Sequence, residues 1–281
     1  MRDLRIVFMG TPDFAVTILK HLVDNKYNIV GVITAPDKPA GRGRKINESA
    51  VKKYSKSENL TILQPTNLKN EEFQQELKSL NANLQIVVAF RMLPKAVWAM
   101  PEYGTFNLHA SLLPEYRGAA PINWAIINGE TKTGVSTFFI DEKIDTGNVI
   151  LQEEVLIDEK DTLGQLHDTL MNVGSNLVVK TVELIKEDKV TTFKQPELEE
   201  KLAPKIFNET CNINWNDSLT NIYNLIRGLN PYPAAWTTLN DNNTQIKVKI
   251  YDVKKEIQDH QLKPGTISAT KNEIKVAVTN G

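Results

Sequence analysis

The feature that most constrains the fold is the order of strand, helix and strand at the start of the chain. Residues 4–9 form a nearly continuous apolar run, which is typical of a strand buried on both faces of a sheet. Apolar residues then recur at helical spacing from Phe14 to Leu22, and a second strand is predicted over residues 28–34. This order predicts a parallel sheet with a right-handed crossover, and hence an α/β domain.

The turn after the first strand has the sequence Gly-Thr-Pro-Asp. Thr11 is predicted to cap the helix, with Pro12 at its first position and Asp13 at its positive end. Gly10 is only one of the three glycines that a GxGxxG dinucleotide fingerprint needs. We therefore interpret Gly10 as part of a tight strand-to-helix turn rather than as a dinucleotide site.

The predicted pattern of helices and strands changes beyond Ile206. The first part continues the α/β pattern, with further strands predicted at 84–90, 134–141 and 149–157 and helices at 71–80, 119–128 and 163–187. Beyond Ile206 a helix over 219–229 is followed by short strands at 234–239, 246–253, 265–269 and 274–278. Short strands separated by turn signals predict a small antiparallel barrel or sandwich. The predicted division is a domain over 1–192, a linker over 193–205 and a second domain over 206–281.

Composition excludes several classes of function. Of the 281 residues, 41% are apolar and 24% are charged, which predicts a globular protein long enough for two domains. The 33 Lys and Arg residues against 34 Asp and Glu residues exclude a chain-wide basic field for nucleic acid. Cys211 is the only cysteine, and neither CxxC nor HExxH supplies metal-ligand spacing. We expect a cytoplasmic protein, monomeric, with no metal and no membrane segment.

A local basic segment interrupts this neutrality. Residues 36–45 contain two prolines, two glycines, one acidic residue and the four basic residues Lys38, Arg42, Arg44 and Lys45. Such a segment is either a solvated loop or an arm that contacts phosphates through its arginine side chains. Composition alone leaves both interpretations open.

Three polar residues form the best candidate for a reactive site. Asn107 and His109 are two apart in an extended run, so both side chains are predicted to leave the same face of a strand. Asp145 lies between two predicted strands, in a loop that could return to the same cleft. An amide, an imidazole and a carboxylate can together polarise a carbonyl, hold its oxyanion and accept a proton. Taken singly, His109 could be structural, Asn107 could close a turn and Asp145 could be an exposed loop residue.

The motifs around these residues resemble a known family. Asn107-x-His109-x-Ser-Leu-Leu-Pro, followed by Arg117-Gly118 and by Asp145-Thr-Gly, is similar to the signature of the 10-formyltetrahydrofolate-dependent formyltransferases. Matching segments spread over essentially the whole chain, at 8–15, 37–43, 117–122, 203–205, 226–227 and 230–231. The resemblance implies a Rossmann-like formyltransferase domain with a mostly parallel sheet, joined to a C-terminal OB-like barrel.

The resemblance also implies an activity and a set of residues. The activity is transfer of a formyl group from 10-formyltetrahydrofolate to the α-amino group of methionine on initiator tRNA, a step in translation initiation. Asn107, His109 and Asp145 would be the catalytic residues. The folate pocket would be lined by Phe90, Met92, Ser111, Leu112, Leu113 and Pro114. The tRNA would be contacted by Lys38, Arg42, Arg44 and Lys45, with Arg42 nearest the acceptor end.

Two departures from the family pattern bear on these expectations. The stretch Ala89–Pro94 is one residue shorter than usual, and Arg91 stands near the position of a glycine whose backbone would hold the pterin. The C-terminal barrel is expected to be truncated at Gly281, because the family's barrel continues for some distance.

Three other functions remain compatible with the sequence. A formyltransferase acting on glycinamide ribonucleotide or an amino sugar could share the three polar residues, without the basic segment and the barrel. A formyltetrahydrofolate hydrolase would use water as the acceptor. A tRNA-binding protein without turnover would not need to keep Asn107, His109 and Asp145.

Overall fold

The computed structural model describes residues 1–40, 45–197, 201–241 and 244–281. The helices in these ranges are α1 (Asp13–Asp24), α2 (Ala50–Ser57), α3 (Glu71–Ser79), α4 (Lys95–Trp98), α5 (Pro121–Ile127), α6 (Leu163–Lys186) and α7 (Leu219–Leu229). The first eight strands are β1 (Ile6–Gly10), β2 (Ile29–Ile33), β3 (Lys38–Ala40), β4 (Lys45–Asn47), β5 (Ile62–Leu63), β6 (Leu84–Val88), β7 (Thr105–His109) and β8 (Arg117–Gly118). The others are β9 (Lys132–Phe139), β10 (Val149–Leu156), β11 (Leu202–Ala203), β12 (Ala235–Asp241), β13 (Thr244–Ile250), β14 (Ile267–Ala269) and β15 (Ile274–Val276).

One seven-stranded sheet organises the first part of the chain, in the order β10-β9-β7-β6-β1-β2-β5. β1 pairs in parallel with both β2 and β6, and β6 pairs in parallel with β7. The direction reverses at β9, which pairs antiparallel with β7. The predicted mostly parallel α/β sheet is therefore confirmed. All five residues of β1 are buried, as its unbroken apolar sequence predicts for a strand covered on both faces.

The chain divides into two compact units that differ from a simple cut between N- and C-terminal halves. One unit consists of Met1–Arg117, Gly134–Glu154 and Thr169–Glu200. The other consists of Gly118–Thr133, Val155–Asp168 and Lys201–Gly281. The first unit contains a core in which Val7, Met9 and Ile33 are buried with side chains from α3 and β6.

The second unit has a small core of its own. The buried side chains of Cys211, Ile213, Ile222 and Ile226 pack together there with partly buried Trp236. Burial raises the pKa of the Cys211 thiol, which is the behaviour of a structural rather than a reactive cysteine. The strands predicted in this region form as β12 paired with β13 and β14 paired with β15, both antiparallel. No helix in the described parts of the chain is long and apolar enough to cross a membrane.

The turn after β1 corrects one local prediction. The helix N-cap is Pro12 rather than Thr11, and it makes no side-chain cap hydrogen bond. Its carbonyl accepts from the amides of Ala15 and Val16, so α1 begins one residue later than the sequence suggests. A Cβ at Gly10 would lie 2.5 Å from the Ala15 Cβ and 3.1 Å from the Val88 carbonyl oxygen. The turn thus needs a glycine for close packing of strand and helix, which agrees with the interpretation of Gly10 above.

Candidate active site

β7 carries two of the three predicted polar residues. Within it Asn107 pairs with Val87 on one side and with Phe138 on the other, so the strand is held from both directions. The expected extended run is present, and the alternation of a strand places Asn107 and His109 on the same face. His109 is buried and Asn107 is half-buried. The backbone that carries both side chains is therefore fixed by hydrogen bonds to the strands on either side.

The imidazole of His109 lies between two fixed oxygen atoms. Its Nε2 is 2.8 Å from the carbonyl oxygen of Tyr116. A carbonyl oxygen can only accept, so Nε2 carries a hydrogen and donates it. On the other side of the ring, Nδ1 is 3.7 Å from Oδ2 of Asp145. Nδ1 is therefore the ring nitrogen that faces the carboxylate.

Asp145 reaches His109 from the loop between β9 and β10. The loop leaves the sheet beside Thr105, whose carbonyl oxygen accepts from the amide of Ile140. The backbone of Asp145 is left-handed, with φ of 56°. Such conformations in residues other than glycine cost on the order of 1–3 kcal/mol and cluster at functional sites. A Cβ at Gly147 would lie 1.7 Å from the carbonyl oxygen of Phe139, so the loop closes tightly against the strand it follows.

A glutamine that the sequence reading placed in a linker holds this loop. Gln195 is only 5% exposed. Its Nε2 donates to the carbonyl oxygens of Asp145 at 2.9 Å and of Gly147 at 2.8 Å. Its Oε1 accepts from Nε of Arg117 at 3.1 Å and from Nη2 at 2.7 Å. The sequence motifs single out the segments that contain Arg117, Asp145 and Gly147, and they miss Gln195.

Asn107 shares with Ser55 and Thr133 a buried side-chain oxygen that has no hydrogen-bond partner among the described residues. Its Oδ1 is buried, and among the described residues no donor reaches it. An unsatisfied buried carbonyl oxygen costs about 1–3 kcal/mol, and such exceptions in folded proteins call for a reason such as a functional role. An incoming ligand that donates a hydrogen bond to this oxygen would supply that reason.

The six residues predicted to line a folate pocket differ in accessibility. Ser111 is fully buried, and its hydroxyl donates to the carbonyl oxygen of Glu115 at 2.6 Å. Leu113 is buried against Phe138 and Val149. These two side chains are thus used within the protein, where they shape the loop after β7. The remaining four are open to a ligand: Phe90, Leu112 and Pro114 are half-buried, and Met92 is 68% exposed.

The loop before α4 is held in place by hydrogen bonds from Arg91. Nη1 of Arg91 donates to the carbonyl oxygen of Thr66 at 2.9 Å, and Nη2 donates to that of Pro65. Arg91 therefore bridges this loop to the segment after β5.

The basic segment is in part a hairpin. β3 and β4 pair antiparallel, with Lys38 opposite Asn47 and the Lys38 side chain exposed. Arg42 and Arg44 lie outside the described residues, as does the side chain of Lys45. The one acidic residue of the segment, Asp37, is bound by Gln64 and Lys52, and these hydrogen bonds hold the pKa of its carboxyl below the usual value. Its charge is therefore matched by Lys52, outside the basic segment.

A cavity of about 740 Å³ adjoins the Asp145 loop. Its lining includes Pro114, Arg117, Lys143, Thr146 and Gln195, so it opens beside the loop, and Pro114 is the one expected folate-lining residue on its wall. The volume is within the range of about 300–1,000 Å³ typical of small-molecule sites. In the part of the chain that the structure describes, no group of three or more His, Cys, Asp and Glu residues is arranged to hold a metal ion.

The fold and this site define a class: an α/β enzyme with an amide and an imidazole on an interior strand of its sheet and a carboxylate on the loop after the neighbouring strand. Comparison with known families identifies it further. The family profile described as formyl transferase matches residues 4–182, and the profile of the formyl transferase C-terminal domain matches residues 205–281. The chain belongs to the formyl transferase family, and the family predicted from its motifs is confirmed.

Curated relatives match over nearly the full length. The chain is 60% identical to the methionyl-tRNA formyltransferase of Flavobacterium johnsoniae, over 100% of this chain and 90% of the relative. It is 55% identical to that of Bacteroides fragilis, over 99% of this chain and 88% of the relative.

Solved structures agree in fold. An N-formyltransferase from Helicobacter canadensis, in complex with folinic acid and dTDP-3-aminofucose, superposes with a TM-score of 0.71 at 21% identity, covering 99% of this chain and 97% of that one. HypX from Aquifex aeolicus in complex with tetrahydrofolic acid superposes with a TM-score of 0.68 at 15% identity, covering 99% and 42%. At these identities the likeness extends to the fold alone.

The unpaired oxygen of Asn107 leads to a stability prediction. We expect Asn107→Leu to raise the free energy of unfolding by about 1 kcal/mol, because it removes a buried carbonyl oxygen that lacks a partner. The matched control is Gln85→Leu on the neighbouring strand β6, where Oε1 accepts from the Thr105 hydroxyl at 3.0 Å. That change should lower stability. Chemical denaturation of both variants measures the difference, and a loss of stability in Asn107→Leu equal to that in Gln85→Leu would contradict the interpretation.

Proposed function

We propose that this protein transfers a formyl group from 10-formyltetrahydrofolate to the α-amino group of methionine on initiator tRNA. The observation that carries the proposal is identity of 51–60% over 95–100% of the chain with proteins named methionyl-tRNA formyltransferase. The site described above supports it, because its polar groups suit attack by an amine on a formyl carbon. None of them needs to be a covalent nucleophile.

Asn107 is proposed to act on both reaction partners. 10-Formyltetrahydrofolate supplies a formyl carbon bound to nitrogen, which is an acyl group open to attack by an amine. The amide NH2 of Asn107 would donate to the formyl oxygen as negative charge develops there. Its Oδ1, unsatisfied in the described structure, would accept from the attacking amine. Because Oδ1 is buried, this second bond would form once the amide turns or its surroundings open toward the substrate.

His109 and Asp145 are proposed to hold the proton that the amine gives up. Nε2 of His109 is already committed to the carbonyl oxygen of Tyr116, so the reactive nitrogen is Nδ1. The lone pair of Nδ1 and the carboxylate of Asp145 face each other at 3.7 Å. A proton taken up on Nδ1 would lie between the imidazole ring and the Asp145 carboxylate. The same proton can then pass to the departing nitrogen.

The remaining predicted residues are assigned to binding. The accessible side chains of Phe90, Met92, Leu112 and Pro114 are proposed to contact the folate, while buried Ser111 and Leu113 shape the loop behind it. The aminoacyl end of the tRNA is proposed to enter through the cavity beside the Asp145 loop. Lys38, Arg42, Arg44 and Lys45 are proposed to contact its phosphates. Residues 1–192 would thus catalyse and residues 206–281 would bind tRNA, in a monomer working in the cytoplasm.

The proposed function predicts a selective reaction. With 10-formyltetrahydrofolate as donor, the protein should formylate charged initiator methionyl-tRNA in strong preference to elongator methionyl-tRNA. Formyl transfer is measured as labelled formyl-methionine released from each tRNA, with glycinamide ribonucleotide and a dTDP-amino sugar tested alongside.

Each other outcome points to a different function. Formylation of a small amine alone would retain the family and overturn the tRNA acceptor. Release of formate without an acceptor would indicate a hydrolase. Binding of tRNA with no consumption of donor would indicate a binding protein without turnover.

The proton-holding role of Asp145 gives a second prediction. Asp145→Asn preserves a residue that tolerates left-handed backbone and removes only the charge. We expect it to lower kcat by about 10²–10⁴-fold, the usual contribution of general acid–base catalysis, with little change in melting temperature. The matched control is Asp168→Asn, which removes the carboxylate of an exposed His167–Asp168 pair with an Nδ1–Oδ1 distance of 3.1 Å. An Asp145→Asn enzyme as active as the control would remove Asp145 from the mechanism.

The phosphate-contacting role of the basic segment gives a third prediction. Arg42→Ala should raise KM for initiator tRNA and lower the slope of log K against log salt by about one, because one phosphate contact is lost. Its kcat and its KM for the donor should stay near the unmodified values. Lys78→Ala, which removes an exposed cation from α3, is the control for overall charge. Equal effects of the two variants on tRNA affinity would contradict a specific role for Arg42.

A further inference from the structure

We propose that Gln195 is a positioning residue that fixes both oxygen partners of His109 at once. The inference rests on the function proposed above for its role in turnover, but its structural part concerns only the surroundings of the His109 ring. Gln195 itself touches neither His109 nor the Asp145 carboxylate through any hydrogen bond that the structure gives. It acts on one side through the backbone of Asp145 and on the other side through Arg117, which follows Tyr116 in the chain.

The first half of this linkage runs to the Asp145 loop. The Gln195 NH2 donates to two carbonyl oxygens of one loop, those of Asp145 and Gly147. Asp145 has a left-handed backbone that its own residue type only tolerates, so an outside group must help to hold it. Two hydrogen bonds from one buried amide restrain the residues on both sides of Thr146. They thereby fix the direction in which the Asp145 carboxylate leaves the loop.

The second half runs to the other side of the imidazole. Gln195 Oε1 accepts from both Nε and Nη2 of Arg117. Arg117 directly follows Tyr116, whose carbonyl oxygen accepts from His109 Nε2 and whose backbone is left-handed with φ of 57°. Restraining the Arg117 side chain restrains the peptide that presents this carbonyl. One side chain therefore connects the groups on the Nδ1 and Nε2 sides of the same ring.

The chemistry of the linkage needs an amide at this position. Its two ends require opposite properties, because carbonyl oxygens need a donor and a guanidinium needs an acceptor. Gln195→Glu would keep an oxygen for Arg117 but would turn a second oxygen toward the carbonyl oxygens of Asp145 and Gly147. Gln195→Met preserves length and bulk and removes both functions. Gln195→Glu therefore tests the loss of the hydrogen bonds to the Asp145 loop alone. Gln195→Met tests the loss of those bonds together with the bonds from Arg117.

The test compares these variants with Gln74→Met, which removes a partly buried glutamine amide whose Nε2 donates to the carbonyl oxygen of Leu68 at 3.2 Å, remote from the site. We expect both Gln195 variants to lower kcat by about 10–100-fold, with KM for donor and tRNA changed less than about threefold, as for a group needed in the transition state. Gln74→Met should leave kcat unchanged. A kcat within twofold of the unmodified protein in both Gln195 variants would overturn the proposal.

A double-mutant cycle separates positioning from general support of the fold. If Gln195 acts in part through Asp145, Gln195→Met should lower kcat less in the Asp145→Asn background than in the unmodified protein, whereas independent effects would multiply. Multiplying effects would overturn the proposal. Loss of the folded state in both Gln195 variants would also overturn it, since Gln195 would then be a residue on which the fold depends.

A spectroscopic measurement makes the test independent of the substrate. The protein has four histidines, so ¹⁵N-histidine labelling gives few ring signals, and His109→Gln assigns those of His109. The unmodified protein should show His109 protonated at Nε2. Both Gln195 variants should move the His109 ring signals, and Gln74→Met should not; unmoved signals would overturn the proposal. A failure to formylate initiator tRNA would instead overturn the proposed function and leave this measurement intact.

Discussion

The geometry of the site depends on how β7 is held in the sheet. β7 is parallel to β6 on one side and antiparallel to β9 on the other, so the sheet changes direction at this strand. β9 ends beside the start of β7, where the amide of Ile140 donates to the carbonyl oxygen of Thr105. The loop after β9 then runs back along β7 and brings Oδ2 of Asp145 to 3.7 Å from Nδ1 of His109. The position of the carboxylate therefore depends on how this loop is held against β7.

The imidazole is then fixed by elements from four places in the sequence. β7 supplies His109, the loop after it supplies the Tyr116 carbonyl oxygen, the β9–β10 loop supplies Asp145, and the segment after α6 supplies Gln195. Two of these residues, Tyr116 and Asp145, have left-handed backbones. Strain of this kind persists only where the surroundings over-determine it, and the buried hydrogen bonds of Gln195 are such surroundings. The hydrogen bonds that hold these residues therefore come from outside the His109 ring and the Asp145 carboxylate.

The sequence alone predicts the parts of this arrangement that depend on local pattern. The unbroken apolar run before Gly10 predicts β1, and the spacing of Asn107 and His109 predicts a shared strand face. Thr11 illustrates a limit, since either Thr11 or Pro12 could supply the N-cap and only the backbone angles decide. Arg91 and Gln195 illustrate a larger one. Each reaches carbonyl oxygens 25 or more residues away, and a polar residue in an irregular segment carries no periodic signal of such a partner.

Two amides in the site show how the same functional group serves opposite purposes. Gln195 takes part in four hydrogen bonds within the protein, so a movement of its partners breaks hydrogen bonds and raises the free energy. Asn107 keeps a buried oxygen without a partner among the described residues, so its free energy falls only when a donor arrives. A saturated amide suits a residue that positions others, because any movement breaks bonds. An amide oxygen without a partner suits a residue that meets a ligand, because a hydrogen bond from the ligand removes the cost of the unsatisfied oxygen and so favours binding.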